Sequence, residues 1–448
     1  MNAKKMMTAA LVALLATTGV EMAFADVSVT DVKVQPRSPW NGLVDIEYTV
    51  ACDDPQTDVH VHPVAYDGDR RMTLFMNCLT GEGATNTVKA GKHTMTWDAS
   101  RDYGVFSSAN FQVKIYAGKR MPRYVKIDLS GGAEAEEYPV EMSVAGPDIS
   151  DNACRTTELW LRLVLPGEFW MGSPKDELGR SDNEDLHHVT LTKPFYIGVF
   201  EVTQKQYELV MGANPSTFKD TDNAPLRPVE TVQWDQIRGV DEPASNTMNR
   251  DSFITRLRTR THSLAFDLPS EARWEYACRA GTTTALYNGK NLSSVDNCAA
   301  LNEIARNFAN GWSEITPNVS NELYGTSAVG AYKPNALGLY DMLGNVWELC
   351  RDGASSYGGT DVEAPPTGNG ECIDPLATSY DRSSGNGDGH WMYFVMHGGA
   401  FDCRANYCRV SRRKAKYVGT YSWGGAARRY EDGTNASVGF RICSELEF

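Results

Sequence analysis

Positive charge is scarce in this chain: 43 Lys and Arg stand against 57 Asp and Glu in 448 residues, a formal net charge of −14. Nucleic acid is therefore not the expected partner, because holding a phosphate backbone depends on clustered cations that release counterions. Beyond the first 25 residues no segment approaches the roughly 20 continuous apolar residues of a spanning helix, so no membrane span is expected. The chain has no His-Glu-x-x-His, no Walker lysine loop and no dinucleotide glycine fingerprint, which leaves hydrolytic zinc and nucleotide chemistry without support. No internal repeat is apparent. What is present, 42% hydrophobic, 10% aromatic and 22% charged residues, is ordinary globular composition. The length suggests two domains of unequal size.

Lys4 and Lys5 precede an apolar run that ends in the small-residue pattern Ala23-Phe24-Ala25. That is the pattern of a secretory signal peptide over 1–25, and it places the mature chain, from Asp26, in the periplasm or outside the cell. No cysteine lies near the cleavage site, so a lipoprotein anchor is not suggested. All ten cysteines (Cys52, Cys78, Cys154, Cys278, Cys298, Cys350, Cys372, Cys403, Cys408 and Cys443) follow the leader. In an oxidising compartment the plain reading of each is half of a structural disulfide.

Between residues 26 and 120, short alternating segments (VSVTDVKV, LVDIEYTV, DVHVHPVAY, HTMTWDA, NFQVKIYA) are separated by turn clusters, as in a small immunoglobulin-like β-sandwich. Cys52 and Cys78 are placed to staple it. His60 and His62 share one strand face, where solvation is the plainer reading than a metal; the adjacent His187 and His188 point to opposite sides and make a poor chelate. The acidic, small-residue stretch over 121–155 reads as a linker. From 156 to 448 the chain is rich in Trp, Gly and Asn, with few convincing helices. Two are capped: one after Thr203 with Gln206 reaching back and Gly212 as stop, the other after Ser270, with Trp274 and Cys278 on its inner face and Gly281 as stop. The Gly-, Ser-, Asp- and Pro-rich segment 352–390 is too long for an ordinary connection and reads as a surface loop or lid.

Seven blocks follow one another in order: PGEFWMGS (166–173), FYIGVFEVTQKQY (195–207), RPVETVQW (227–234), DLPSEARWEYACRAG (267–281), PNALGLYDMLGNVWEL (334–349), HGGAFDCRANYC (397–408) and VGFRIC (438–443). Together they resemble the formylglycine-generating enzyme, or sulfatase-modifying factor, family. The resemblance implies an irregular α+β fold related to C-type lectins. It also implies that Cys403 and Cys408 match the two cysteines with which oxidase members bind copper(I) and activate oxygen, soft thiolates being suited to that ion. The reaction implied is oxidation of a cysteine in a sulfatase-type peptide to formylglycine.

By the same match Trp347 would wall the oxygen pocket, although a core anchor is its plain alternative. Asp341, Gly344, Val346 and Glu348 would hold calcium through two carboxylates and two backbone carbonyls, an all-oxygen set for a hard cation. Cys278 and Cys443 match the positions of a structural disulfide. Ala400 stands where the family places a serine, Ser437 where it usually has an asparagine, and an insertion lengthens the loop before Ser437. The alternative function is a non-catalytic binding module that recognises a cell-surface glycan or protein through its loops, with Tyr357, Trp391 and Trp423 as stacking residues or as buried packing.

Overall fold

The computed structural model describes residues 27–445 apart from 40, 68–69, 73–78, 84–86, 101–109, 119–122, 240–248, 264–265, 312–323, 355–371, 377–391, 419–421, 424–425 and 428–434. The expected leader, Cys78, Tyr357, Trp391 and most of the 352–390 segment lie outside the described residues. Two compact units divide the chain at residues 121 and 122.

In the first unit, alternation of apolar and polar residues makes strands with one buried face. They are β1 (Val27–Pro36), β2 (Leu43–Cys52), β3 (His60–Asp67), β4 (Arg70–Met72), β5 (Leu79–Gly81), β6 (Gly91–Asp98) and β7 (Phe111–Gly118). Four pair in the order β1-β2-β6-β5 and three in the order β4-β3-β7, all antiparallel. Both sheets feed one core. Val44, Ile46, Tyr48 and Val50 of β2 point into it with Met95 and Trp97 of β6 and Val113 of β7, and Trp97 stacks on Phe111 at 5.4 Å. Cys52 carries a free thiol.

The second unit is a mixed α/β assembly in which strands outnumber helices among the described residues. Its strands are β8 (Tyr124–Asp128), β9 (Val140–Ser143), β10 (Glu158–Val164), β11 (Gly167–Met171), β12 (His187–Leu191), β13 (Phe195–Gly198), β14 (Phe266–Asp267), β15 (Trp347–Ala354), β16 (Cys372–Ile373), β17 (Met392–His397), β18 (Arg413–Val418), β19 (Ser422–Trp423), β20 (Ala426–Ala427), β21 (Val438–Gly439) and β22 (Cys443–Ser444). The sheets run β14-β22-β13-β10-β8-β9, β11-β12-β16, β18-β17-β15-β21 and β19-β20.

The stretch 121–155, expected as a linker, instead supplies β8 and β9 to the six-stranded sheet. Val125, Ile127 and Leu129 alternate with Lys126 and Asp128 and are fully buried. That short alternation is a strand signal next to a longer acidic run that hides it.

The capped helices form as their sequences dictate. In α1 (Gln204–Met211) the Thr203 hydroxyl accepts from the Gln206 backbone N–H, the Gln206 side chain accepts from the Thr203 N–H, and Gly212 closes the helix in the left-handed region. Helix α2 (Phe253–Thr261) packs beside it through Phe253, which stacks on Tyr207. In α3 (Glu271–Arg279) Ser270 caps the start, and Ala280, with Gly281 after it, turns the chain at the end. Trp274 and Cys278 are fully buried in the main core of this unit, which also holds Leu343, Val395, Cys408 and Cys443.

Candidate active site and the carboxylates behind it

Strand β17 ends at His397, and the next two residues must be glycines. Gly398 and Gly399 have φ of +95° and +75°. A side-chain carbon on Gly399 would lie 2.6 Å from the Cys408 Sγ and 2.8 Å from the Tyr407 carbonyl oxygen. This double-glycine turn lets the backbone run directly against the Cys408 sulfur. The following residues are tied down by backbone hydrogen bonds: Phe401 N–H to Asn345 O at 3.0 Å, Cys403 N–H to Ala400 O at 2.9 Å, and Phe308 N–H to Cys403 O at 2.9 Å. Phe401 packs edge-on against Phe218 and Tyr324. A 3₁₀ turn over Ala405–Tyr407 then delivers Cys408.

Cys403 and Cys408 are both unbonded, Cys408 buried and Cys403 half-buried. The Cys408 thiol makes long contacts of 3.9 Å to the carbonyls of Ala400 and Cys403. The Cys403 thiol donates to the Asp402 carboxylate at 3.6 Å. Burial pushes the Cys403 thiol up to about 12, and the Asp402 charge adds to this; the Ala400 backbone, the Lys414 ammonium and a hydrogen bond from the Trp347 side chain pull the other way. Cys408 is raised further by burial and by its neighbour Cys403. Two unbonded soft sulfurs, with the Cys408 Sγ 3.9 Å from the Cys403 carbonyl oxygen, are the donor type that suits a copper(I) ion, which would have to displace their protons.

Trp347 starts β15, pairing there with Val438 of β21. It is buried and reaches Cys403, and the Lys414 Nζ lies 5.6 Å above its ring. Sequence reasoning missed Asp402 and Lys414. Asp402 sits inside a matched block and directly precedes a proposed ligand, a signal that was available. Lys414 reaches the site only because β18 pairs back on β17, Met396 opposite Lys414.

The expected calcium residues follow on the same strand and the loop before it. Glu348 is fully buried, and both its oxygens are engaged. Arg441 donates Nε to Oε2 at 2.9 Å and Nη2 to Oε1 at 2.7 Å, and the Trp274 indole N–H donates to Oε2 at 2.7 Å. Asp341 is buried with φ of +55°; its Oδ2 accepts from the Gly330 N–H at 2.6 Å, and its Oδ1 has no partner. Burial pushes Asp341 up to about 6. Gly344 has φ of +76° and lies against the Arg306 carbonyl, so a side chain there would collide with backbone. Among the described residues no three His, Cys, Asp or Glu side chains form a ready metal cage. The set implied by the resemblance has only two, and the orphaned, buried Asp341 oxygen is the donor in it that fits a hard cation.

The remaining expectations are placed as follows. Cys278 and Cys443 share the core but carry free thiols in this structure, both raised by burial. His188 rests against Trp170 and Glu168, while His187 Nδ1 meets the Asp185 carbonyl. His397, directly before the glycine turn, contacts Glu271 at 2.7 Å, and Arg413 donates to the same oxygen at 2.7 Å. Burial opposes the Glu271 charge, but Arg413 and His397 together hold this carboxyl down to about 2, against a usual value of 4.5. The stabilisation is complete above the unfolded value and is lost as pH falls from about 4.5 toward 2. Some 2.5 units correspond to about 3 kcal/mol. Urea midpoints for the second unit should fall steeply across that window, and Glu271→Gln should flatten the fall; equal slopes in both proteins would refute the assignment.

Residues 146–446 match the model of the Sulfatase-modifying factor enzyme 1-like domain. The chain belongs to this sulfatase-modifying factor family. It is 30% identical over 346 residues to the Formylglycine-generating enzyme of Streptomyces coelicolor, covering 70% of this chain and 97% of the relative. It is 33% identical over 184 residues to the Chaperone protein LppX of Paenibacillus barcinonensis, covering 36% of this chain and 63% of that protein. It is also 29% identical over 237 residues to the Inactive C-alpha-formylglycine-generating enzyme 2 of Bos taurus, covering 45% and 72%. Since the relatives include one named for the activity and one named inactive, the chemistry has to be argued from the residues.

Proposed function

We propose that this chain is an exported, copper-dependent oxidase that converts a cysteine of a sulfatase-type peptide to formylglycine. The observation that carries the reading is the pair of unbonded thiols, Cys408 packed against the double-glycine turn and Cys403, five residues before it, the more accessible. Copper(I) bound there would supply oxygen activation at the substrate thiol. The chain's own residues do the positioning. The Gly399 backbone packs directly on Cys408, the Trp347 side chain favours the Cys403 thiolate, and Lys414 offsets the negative charge that appears as the thiols lose their protons. Because burial disfavours the thiolates, metal binding and proton release are linked, and copper affinity should rise with pH. Ala400 contributes only its carbonyl to the pair.

Calcium held at Asp341, with the Gly344 and Val346 carbonyls and Glu348 nearby, would brace the loop that leads into Trp347. Oxidation of Cys278 and Cys443 to a disulfide after export, and an immunoglobulin-like identity for the N-terminal sheets, complete the reading. The β1-β2-β6-β5 order supports the latter, since it follows the A-B-E-D sheet of immunoglobulin domains.

The test is incubation of the reduced, copper(I)-loaded protein with oxygen and a Cys-x-Pro-x-Arg peptide, with aldehyde read by mass spectrometry. Aldehyde that disappears in Cys403→Ser is the expected result. A wild-type protein that binds copper(I) and forms no aldehyde would sink the proposal.

A further inference from the structure

Both thiols lie on one loop, residues 398–412, and a single carboxylate holds its two ends. His397 closes β17 just before the double glycine, Arg413 opens β18 shortly after Cys408, and the two face each other as a pair of the β17–β18 ladder. Glu271, the first residue of α3, is 3% exposed and reaches both. Its Oε1 accepts from the His397 Nε2 at 2.7 Å and from the Arg413 Nε at 2.7 Å, and its Oε2 accepts from the Arg413 Nη2. His397 is fully buried and its Nδ1 has no partner, so among the described residues Glu271 is the polar group that orients the ring. The tip of the loop is tied down separately: the Ala405 and Asn406 N–H groups donate to the Asp296 and Val295 carbonyls, and the Val410 N–H donates to the Ala285 carbonyl. At the base, the Gly399 backbone lies directly against the Cys408 sulfur, so the position of His397 sets the wall on which Cys408 rests.

We infer that Glu271 is a positioning residue for the thiol pair: by clasping His397 to Arg413 it keeps the base of the loop closed and the glycine turn seated on Cys408. It acts through the two residues it bonds and through the turn that follows His397. The inference rests on the reading of the thiols as the working site, and it adds a residue that lies 126 positions before His397 and 142 before Arg413. The acceptor has to be a carboxylate. An amide in its place would keep one oxygen and turn an NH2 group toward donors, so one end of the clasp would be left without an acceptor. Asp352 and Glu275 also attract Arg413, whereas His397 depends on Glu271, so the glycine end is the one that loosens.

The experiment treats the full, reduced, metal-free chain with iodoacetamide and follows each cysteine by mass spectrometry. Cys408 and Cys443 are both buried in the same core, and in wild type both should react slowly. Glu271→Gln should speed the reaction of Cys408 about tenfold and leave Cys443 at its wild-type rate, because the opening is local. A substitution that merely destabilised the unit would expose both. Arg413→Met breaks the other end of the clasp and should also speed Cys408 alone; it carries the test should Glu271→Gln not fold. The double variant should react at Cys408 no faster than the faster single one, since the two residues act through one contact. Copper(I) affinity, measured against a competing chelator, should fall roughly tenfold in both single variants. An unchanged Cys408 rate in folded Glu271→Gln, equal acceleration of Cys408 and Cys443, or effects that add in the double variant would overturn the inference and leave the copper reading standing. A wild-type protein that binds no copper(I) would end the copper reading, and the Cys408 rates would still decide the role of Glu271.

Discussion

Arg441→Met should destabilise the second unit by about 3–5 kcal/mol, a very large effect for one substitution away from the thiols. The side chain is fully buried and makes four hydrogen bonds: two to Glu348, one to the Gly198 carbonyl at 2.7 Å and one to the Tyr340 carbonyl at 2.8 Å. Removing it leaves Glu348 charged, buried and held by one indole, with Glu201 and Asp341 close enough to add their repulsion. The carboxylates would have to take up protons or admit water. Replacing both partners, as in Arg441→Met with Glu348→Leu, should recover most of the loss, because a buried ion pair is worth much less than the penalty for breaking half of it. Chemical unfolding followed by a probe in the second unit measures both, since two units need not unfold in one step. A loss under about 1 kcal/mol in Arg441→Met would mean that the site is wetter than its packing implies.

Local features were readable in the sequence, and distant ones were not. Thr203, Gln206 and Gly212 specify a helix within ten residues, and the alternation in β2 specifies a half-buried strand, because each signal needs only its own neighbours. The thiol pair was also legible: its spacing and its double glycine sit in one block, and the backbone contact at Gly399 explains why the glycine is there. The polar interior was not legible. Arg441 meets Glu348 across 93 residues, and Arg409 meets Glu184 across 225. Such pairs have no period and no motif; they exist only once the sheets bring them together. The β8 strand was lost for a different reason, since five residues of alternation are too few to stand out beside an acidic run.

The glycine turn offers the sharpest test of the thiol site. Gly399→Ala would place a methyl group 2.6 Å from the Cys408 sulfur and 2.8 Å from the Tyr407 carbonyl oxygen, at a φ of +75°. The conformation alone costs about 1–2 kcal/mol for a residue with a side chain. The overlap adds about 1–3 kcal/mol, because one of the two atoms struck is backbone and cannot swing aside. Gly281→Ala separates these terms. It has a φ of +91° and nothing within 4 Å of the added carbon, so it should show the conformational cost without the collision. Relief of the collision in Gly399→Ala must come from opening the turn, which carries Cys408 away from Cys403. Copper(I) affinity, measured against a competing chelator, should then fall at least tenfold in Gly399→Ala and stay unchanged in Gly281→Ala. Equal affinities in the two variants would mean that the pair tolerates a displaced Cys408, and the two sulfurs would no longer qualify as a preorganised metal site.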